Sequence, residues 1–208
     1  MKTLINILIR EFNYRTNSKL FGVFLIYVLT PACVTTPVET EKQGIEIIED
    51  YRVETSIKQE FNEAVQLLNQ QKYDQAIILL KNITDTTKNF TAPYINLGMA
   101  YTKINKFEKA EDSFKKALKL NPDHPLAKNE MAVVYRNIGK FEEARKLYEE
   151  VLVMHPDFHP ARKNLGVLCD LYLQDLNCAF KQYEIYLTAI PNEKIIKIWL
   201  ADVKNRMK

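Results

Sequence analysis

Residues of the same kind return in this chain every 34 positions. Ala76, Ala110 and Ala144 are 34 apart, as are Tyr73, Phe107 and Phe141. Leu67, Tyr101 and Tyr135 form a third series, and Leu80, Phe114 and Tyr148 a fourth. Pro122 and Pro156 close two of the units. A fixed period of this size marks a solenoid, whose stacked units bury apolar faces that no unit can bury alone. It also constrains function, because a solenoid works by offering a surface rather than by enclosing a catalytic pocket.

The clearest unit runs from Thr91 to His124. Leu97, Gly98, Ala100 and Tyr101 share an apolar face of a first helix, and Asn105-Lys106-Phe107 makes a turn. Ala110, Phe114, Ala117 and Leu118 then recur at the spacing of one face of a second helix. Pro122 stops that helix, because proline cannot continue it. Small residues at 98 and 110 let the two helices approach, and aromatics at 101, 107 and 114 fill the space beside them. Pro125 to Phe158 repeats the pattern with Ala132, Tyr135, Gly139, Phe141, Ala144, Tyr148, Val151 and Pro156. Ile57 to Phe90 is a degenerate unit in the same register. A last unit opens near His159 with Asn164-Leu165-Gly166 and continues through Ala179, Tyr183, Leu187 and Pro191, with one extra residue in its turn.

This pattern resembles the tetratricopeptide repeat, a 34-residue helix–turn–helix. The resemblance covers residues 57–191 and implies an all-α fold, a right-handed α-solenoid of about four units. Residues 192–208 read as a capping helix. Ile195, Ile196, Trp199, Leu200 and Val203 make its apolar stripe, and Lys194, Lys197, Asp202, Lys204 and Arg206 its wet face.

The charge of the chain is concentrated at one end. Of 29 basic and 26 acidic residues, residues 1–33 hold Lys2, Arg10, Arg15 and Lys19 against Glu11, leaving 25 of each sign. The remainder is neutral and offers no basic footprint for nucleic acid. Leu20 to Leu29 is an apolar run behind that basic leader. About ten apolar residues are too few to span a bilayer and suit the core of an export signal. The following Thr30-Pro31-Ala32-Cys33 resembles the end of a bacterial lipoprotein signal, which implies lipidation of Cys33 after cleavage. Ordinary cleavage and a retained N-terminal anchor are the alternatives. Val34 is not the aspartate that holds such lipoproteins in the inner membrane, so the resemblance implies an outer-membrane anchor facing the periplasm. Residues 34–56 are polar and acidic and read as a tether. Ile45, Ile47 and Ile48 interrupt it, and docking on the first repeat is an alternative role for them.

Cys169 and Cys178 fall on the two helices of the last repeat, within reach of a disulfide after export. Two buried thiols are the alternative, and no metal site is expected of the pair because no histidine accompanies it. His124, His155 and His159 sit in inter-repeat turns and do not share a helix face, so no metal site is expected from them. No catalytic motif stands out, and neither a catalytic residue nor a cofactor is expected.

In the tetratricopeptide repeat family the first helix of each unit lines a concave groove. The positions that the resemblance places there are Val65, Met99, Val133 and Val167, with Phe61 and Ile95 one turn earlier. Some members grip carboxylate tails of chaperones with lysines and asparagines at these places. Here the positions are apolar, so that activity is not carried over. Asn62, Asn96 and Asn164 recur beside the strip and can hydrogen-bond an extended backbone. An apolar groove suits a peptide or an amphipathic helix of a protein partner, while packing within the solenoid is the alternative. Residues 164–202, including Cys169-Asp170-Leu171-Tyr172, Cys178-Ala179 and Trp199, resemble proteobacterial repeat proteins that accompany TonB–ExbB–ExbD energy-transducing systems. The overall plan is also similar to the pilotin lipoproteins of type IV pili. Activation of a cell-wall synthase is a further alternative. The implied role is a lipid-anchored periplasmic adaptor without catalysis of its own, its oligomeric state left open.

Overall fold

The computed structural model describes residues 55–208, and among these residues it contains nine α-helices and no strand. They are α1 (Thr55–Asn69), α2 (Tyr73–Thr86), α3 (Thr91–Lys103), α4 (Phe107–Leu120), α5 (Pro125–Asn137), α6 (Phe141–Met154), α7 (His159–Leu171), α8 (Leu176–Ala189) and α9 (Lys194–Arg206). The first eight form four antiparallel pairs at the expected period, and α9 follows as the cap. Helix α1 begins two residues before the expected start at residue 57. Cys33, residues 34–54 of the tether and Ile45–Ile48 within it lie outside the described residues. No described helix is long and apolar enough to cross a membrane.

The turns repeat as the helices do. Gln71, Asn105 and Gly139 are 34 apart, and all take positive φ (62°, 57° and 80°). Each ends the first helix of its repeat, and the next residue bonds back five positions: Lys72 N–H to Leu67 O, Lys106 to Tyr101 and Lys140 to Tyr135, all at 2.9 Å. This closure satisfies the last helical carbonyls. Only Gly139 enters that conformation without a Cβ penalty, and asparagine tolerates it better than most residues. In the last repeat the extra residue moves the positive φ to Gln174.

Each helix packs on its neighbours in the chain. In addition α1 touches α3, α3 touches α5 and α5 touches α7, so the first helices stand on the inner side. The core between the helices of a pair explains the small residues. A Cβ on Gly98 would lie 2.7 Å from the Phe114 ring, and one on Gly166 would lie 2.5 Å from the Tyr183 ring. Ala64 and Ala132 hold the same place in the other repeats with no exposed surface. Phe114 and Tyr148 are fully buried against these positions, and Tyr183 nearly so.

The cap differs from expectation at one residue. Ile196 and Val203 are fully buried, Trp199 and Leu200 are partly buried, and Ile195 is 54% exposed. The phase that turns 196, 199, 200 and 203 inward leaves 195 and 198 on the opposite side. Arg206, exposed as expected, also pairs with Asp170, a buried carboxylate that accepts from Tyr183 Oη at 3.3 Å.

Candidate functional site

The inner face is built by α1, α3, α5 and α7. Its apolar strip is divided by burial. Phe61, Val65 and Ile95 have no exposed surface, whereas Met99, Val133 and Val167 are partly exposed. Phe61 packs on Phe90, the residue just before α3, with ring centroids 5.2 Å apart. The open part of the strip therefore belongs to the second, third and fourth repeats, and the expected first-repeat wall is closed packing.

The asparagines part in the same way. Asn96 is fully buried, and its Nδ2 donates to Ala92 O one turn back at 2.9 Å. That bond fixes the amide, and Asn96 Oδ1 is left buried with no donor. Asn62 Oδ1, one repeat earlier, is likewise buried and unmet. Leaving a buried acceptor unmet costs about 1–3 kcal/mol. Asn164 does not present a free amide, because its Nδ2 donates to Asn129 Oδ1 at 3.0 Å. Asn129 is fully buried and in turn donates to Glu130 Oε1 at 2.9 Å.

Glu130 is the residue that the sequence reading passed over. It lies 34 positions after Asn96 and so occupies the same place in the third repeat. Burial is the main influence on its carboxyl and raises its pKa, against the Asn129 amide and the charges of Lys103 and Arg136, which lower it. The 34-residue count alone would have placed it in the row, but its different residue type hid the match. Near it Arg136 lies 5.8 Å from the Tyr172 ring centroid, with its Nε buried and unmet. Tyr148 Oη is also buried and unmet, and desolvation raises its pKa. The inner face thus changes along its length, from aliphatic and amide groups to a polar cluster around Glu130 and Arg136.

The histidines serve the turns. His124 is buried and caps α5, its Nδ1 accepting from Ala127 N–H at 3.4 Å, and burial lowers its pKa to about 4. His155 Nε2 lies 3.3 Å from Asp123 O, and His159 opens α7. Cys169 and Cys178 are joined by a disulfide with a Cα–Cα distance of 5.8 Å, tying α7 to α8. Asp175 sits beside it as the N-cap of α8, accepting from Cys178 N–H at 3.0 Å.

Residues 92–124 and 113–146 each match a family described as the tetratricopeptide repeat. No curated protein matches the chain at the sequence level. Among solved structures, MamA from Desulfovibrio magneticus RS-1 superposes with a TM-score of 0.65 at 22% identity, covering 75% of this chain and 88% of that one. Pseudomonas aeruginosa pilF gives 0.67 at 16% identity, covering 73% and 69%. The first tetratricopeptide repeat domain of Spaghetti (RPAP3), bound to the HSP90 peptide SRMEEVD, gives 0.53 at 26%, covering 57% and 94%. These likenesses extend the repeat fold beyond the residues matched by family. With the periodic turns and the small-residue contacts described above, they show that the described residues have the tetratricopeptide repeat fold.

Proposed function

We propose that the inner face is a protein-binding groove and that the chain is an adaptor without catalysis of its own. The observation that carries this reading is that Met99, Val133 and Val167, 34 residues apart on the inner helices of three successive repeats, keep part of their surface open. Asn62 Oδ1 and Asn96 Oδ1 lie buried in that face and are closed to a ligand as it stands. Aliphatic side chains of a peptide or an amphipathic helix pack on the open positions. The RPAP3 domain holds a peptide rich in acidic residues. The valines and methionine of this inner face favour an apolar ligand instead.

The wider setting extends this reading. A lipid on Cys33 would hold the solenoid at the outer membrane, facing the periplasm. The resemblance of residues 164–202 favours an energy-transducing system of the TonB type as the machine served. A pilotin-like role in secretin assembly is the second reading, favoured by the likeness in fold to pilF. Activation of a cell-wall synthase is the third.

Met99→Glu combined with Val133→Lys places opposite charges in the strip without altering net charge. The pair is expected to abolish crosslinking to the partner while the melting curve moves little, whereas Glu142→Lys with Glu143→Lys on exposed α6 leaves crosslinking intact. The reverse pattern moves binding to the outer face. A large fall in melting temperature for the groove pair supports self-packing and removes the proposed surface.

A further inference from the structure

The turn between α7 and α8 gathers three groups with the chemistry of metal ligands. One ligand atom each from Cys169, Asp175 and Cys178 lies within 4.8 Å of the other two. Two of them are the sulfurs of the disulfide, so the corner as it stands is closed to an ion. We propose that when this disulfide is reduced the same corner becomes a site for a thiophilic divalent ion of the zinc class, held by Cys169 Sγ, Cys178 Sγ and the Asp175 carboxylate, with water in the fourth position.

The local fold prepares all three ligands. Cys169 is on the last turn of α7 and has no exposed surface. The extra residue of this repeat lengthens the turn, Gln174 takes φ 53°, and Asp175 N–H bonds to Cys169 O at 2.8 Å. That bond holds the Asp175 backbone against the end of α7. Cys178 is the third residue of α8. A thiolate there is favoured by the positive end of the helix. Arg145 Nη1, from the third repeat, lies 3.4 Å from Asp175 Oδ2 and orients the carboxylate as an outer partner orients a ligand. The Cα atoms of the two cysteines are 5.8 Å apart, so both sulfurs can reach one ion at about 2.3 Å each after modest side-chain rotation. Two thiolates, one carboxylate and a water form the tetrahedral set that zinc accepts.

The chemistry balances with a dithiol as reductant. Its two sulfurs give up two electrons and two protons and become a disulfide, while the Cys169–Cys178 bond breaks to two thiols. Binding of the ion then releases those two thiol protons. The oxidised corner is closed by a covalent bond and the reduced corner by an ion, so the last repeat keeps a staple in either state.

The test uses the full chain in detergent carrying Cys33→Ser, so that only this pair supplies thiolates. After phosphine reduction under inert gas, Co2+ should bind one ion per chain. Binding should give a sulfur-to-cobalt charge-transfer band and the intense visible bands of tetrahedral cobalt. Zn2+ should displace the cobalt and raise the melting temperature of the reduced chain by several degrees. Cys178→Ser should remove the charge-transfer band, Asp175→Asn should weaken cobalt binding by at least about tenfold with the fold intact by circular dichroism, and the air-oxidised chain should bind none. Absence of the band in the reduced chain overturns the proposal. So does equal binding by the oxidised chain, or undiminished affinity in Asp175→Asn.

Discussion

At the residue scale, the fold rests on small side chains facing large rings. Ala110 and Ala144 have no exposed surface, and Gly98 and Gly166 leave no room for even a Cβ. Ala110→Leu should therefore destabilise by about 1–3 kcal/mol through overpacking. Lys115→Ala, which removes an exposed ammonium paired with the half-buried Glu111, should stay within about 0.5 kcal/mol. Thermal melts of the two variants check the difference. His124 adds a pH dependence at the same scale. Burial lowers its pKa from 6.5 to about 4, so the folded chain binds fewer protons there than the unfolded chain. Its contribution is complete above pH 6.5 and is lost as pH falls from 6.5 towards 4, by about 3 kcal/mol at most. His124→Asn keeps an N-cap acceptor and should flatten that part of the stability–pH curve, measured by urea titration at several pH values.

At the scale of the element, the helices are defined by their ends as much as by their faces. Three of the turns repeat a positive-φ residue at the same place, yet only one of those residues is glycine. The 34-residue count predicts the turn, while residue type alone would have found only Gly139. Helix α9 shows a different dependence. Its buried residues are few, Ile196 and Val203 with parts of Trp199 and Leu200, and its last turn is fastened by Arg206 to Asp170 and Asp202. Arg206→Ala leaves the buried Asp170 with Tyr183 Oη as its remaining side-chain partner. Amide hydrogen exchange should accelerate in α9 and the end of α7 while α3 to α6 keep their protection, as expected when a terminal unit of a solenoid loosens. Uniform acceleration across all helices would mean that the pair supports the whole array instead.

At the scale of the whole molecule, the proposed groove lies in the repeats and the proposed anchor in residues 1–54. The anchor is a separate prediction. The wild-type chain should partition with membranes and incorporate labelled palmitate, and Cys33→Ser should not. Equal labelling of the two, or a soluble wild type with its leader intact, removes the lipid anchor while leaving the groove proposal standing. Groove variants probe the solenoid and Cys33 probes the leader, so the two claims can fail independently.

The sequence by itself determined the repeat, the helix pairs, the small-residue contacts and the place of the extra turn residue. Each depends on spacing along the chain, and a helix converts spacing into a face. Only the tertiary structure decided how open the inner face is. Phe61, Val65 and Ile95 share their pattern with Met99, Val133 and Val167, yet the first three are closed and the others partly open, because exposure depends on what packs against a side chain, as Phe90 does on Phe61. Tertiary structure also decided the bonding of the asparagines. Asn96 turns back to its own helix and Asn164 reaches Asn129 in the preceding repeat, a choice between neighbours that spacing cannot express. Asp175 became a partner of the two cysteines for the same reason: the corner that joins them exists only when α7 and α8 pack together.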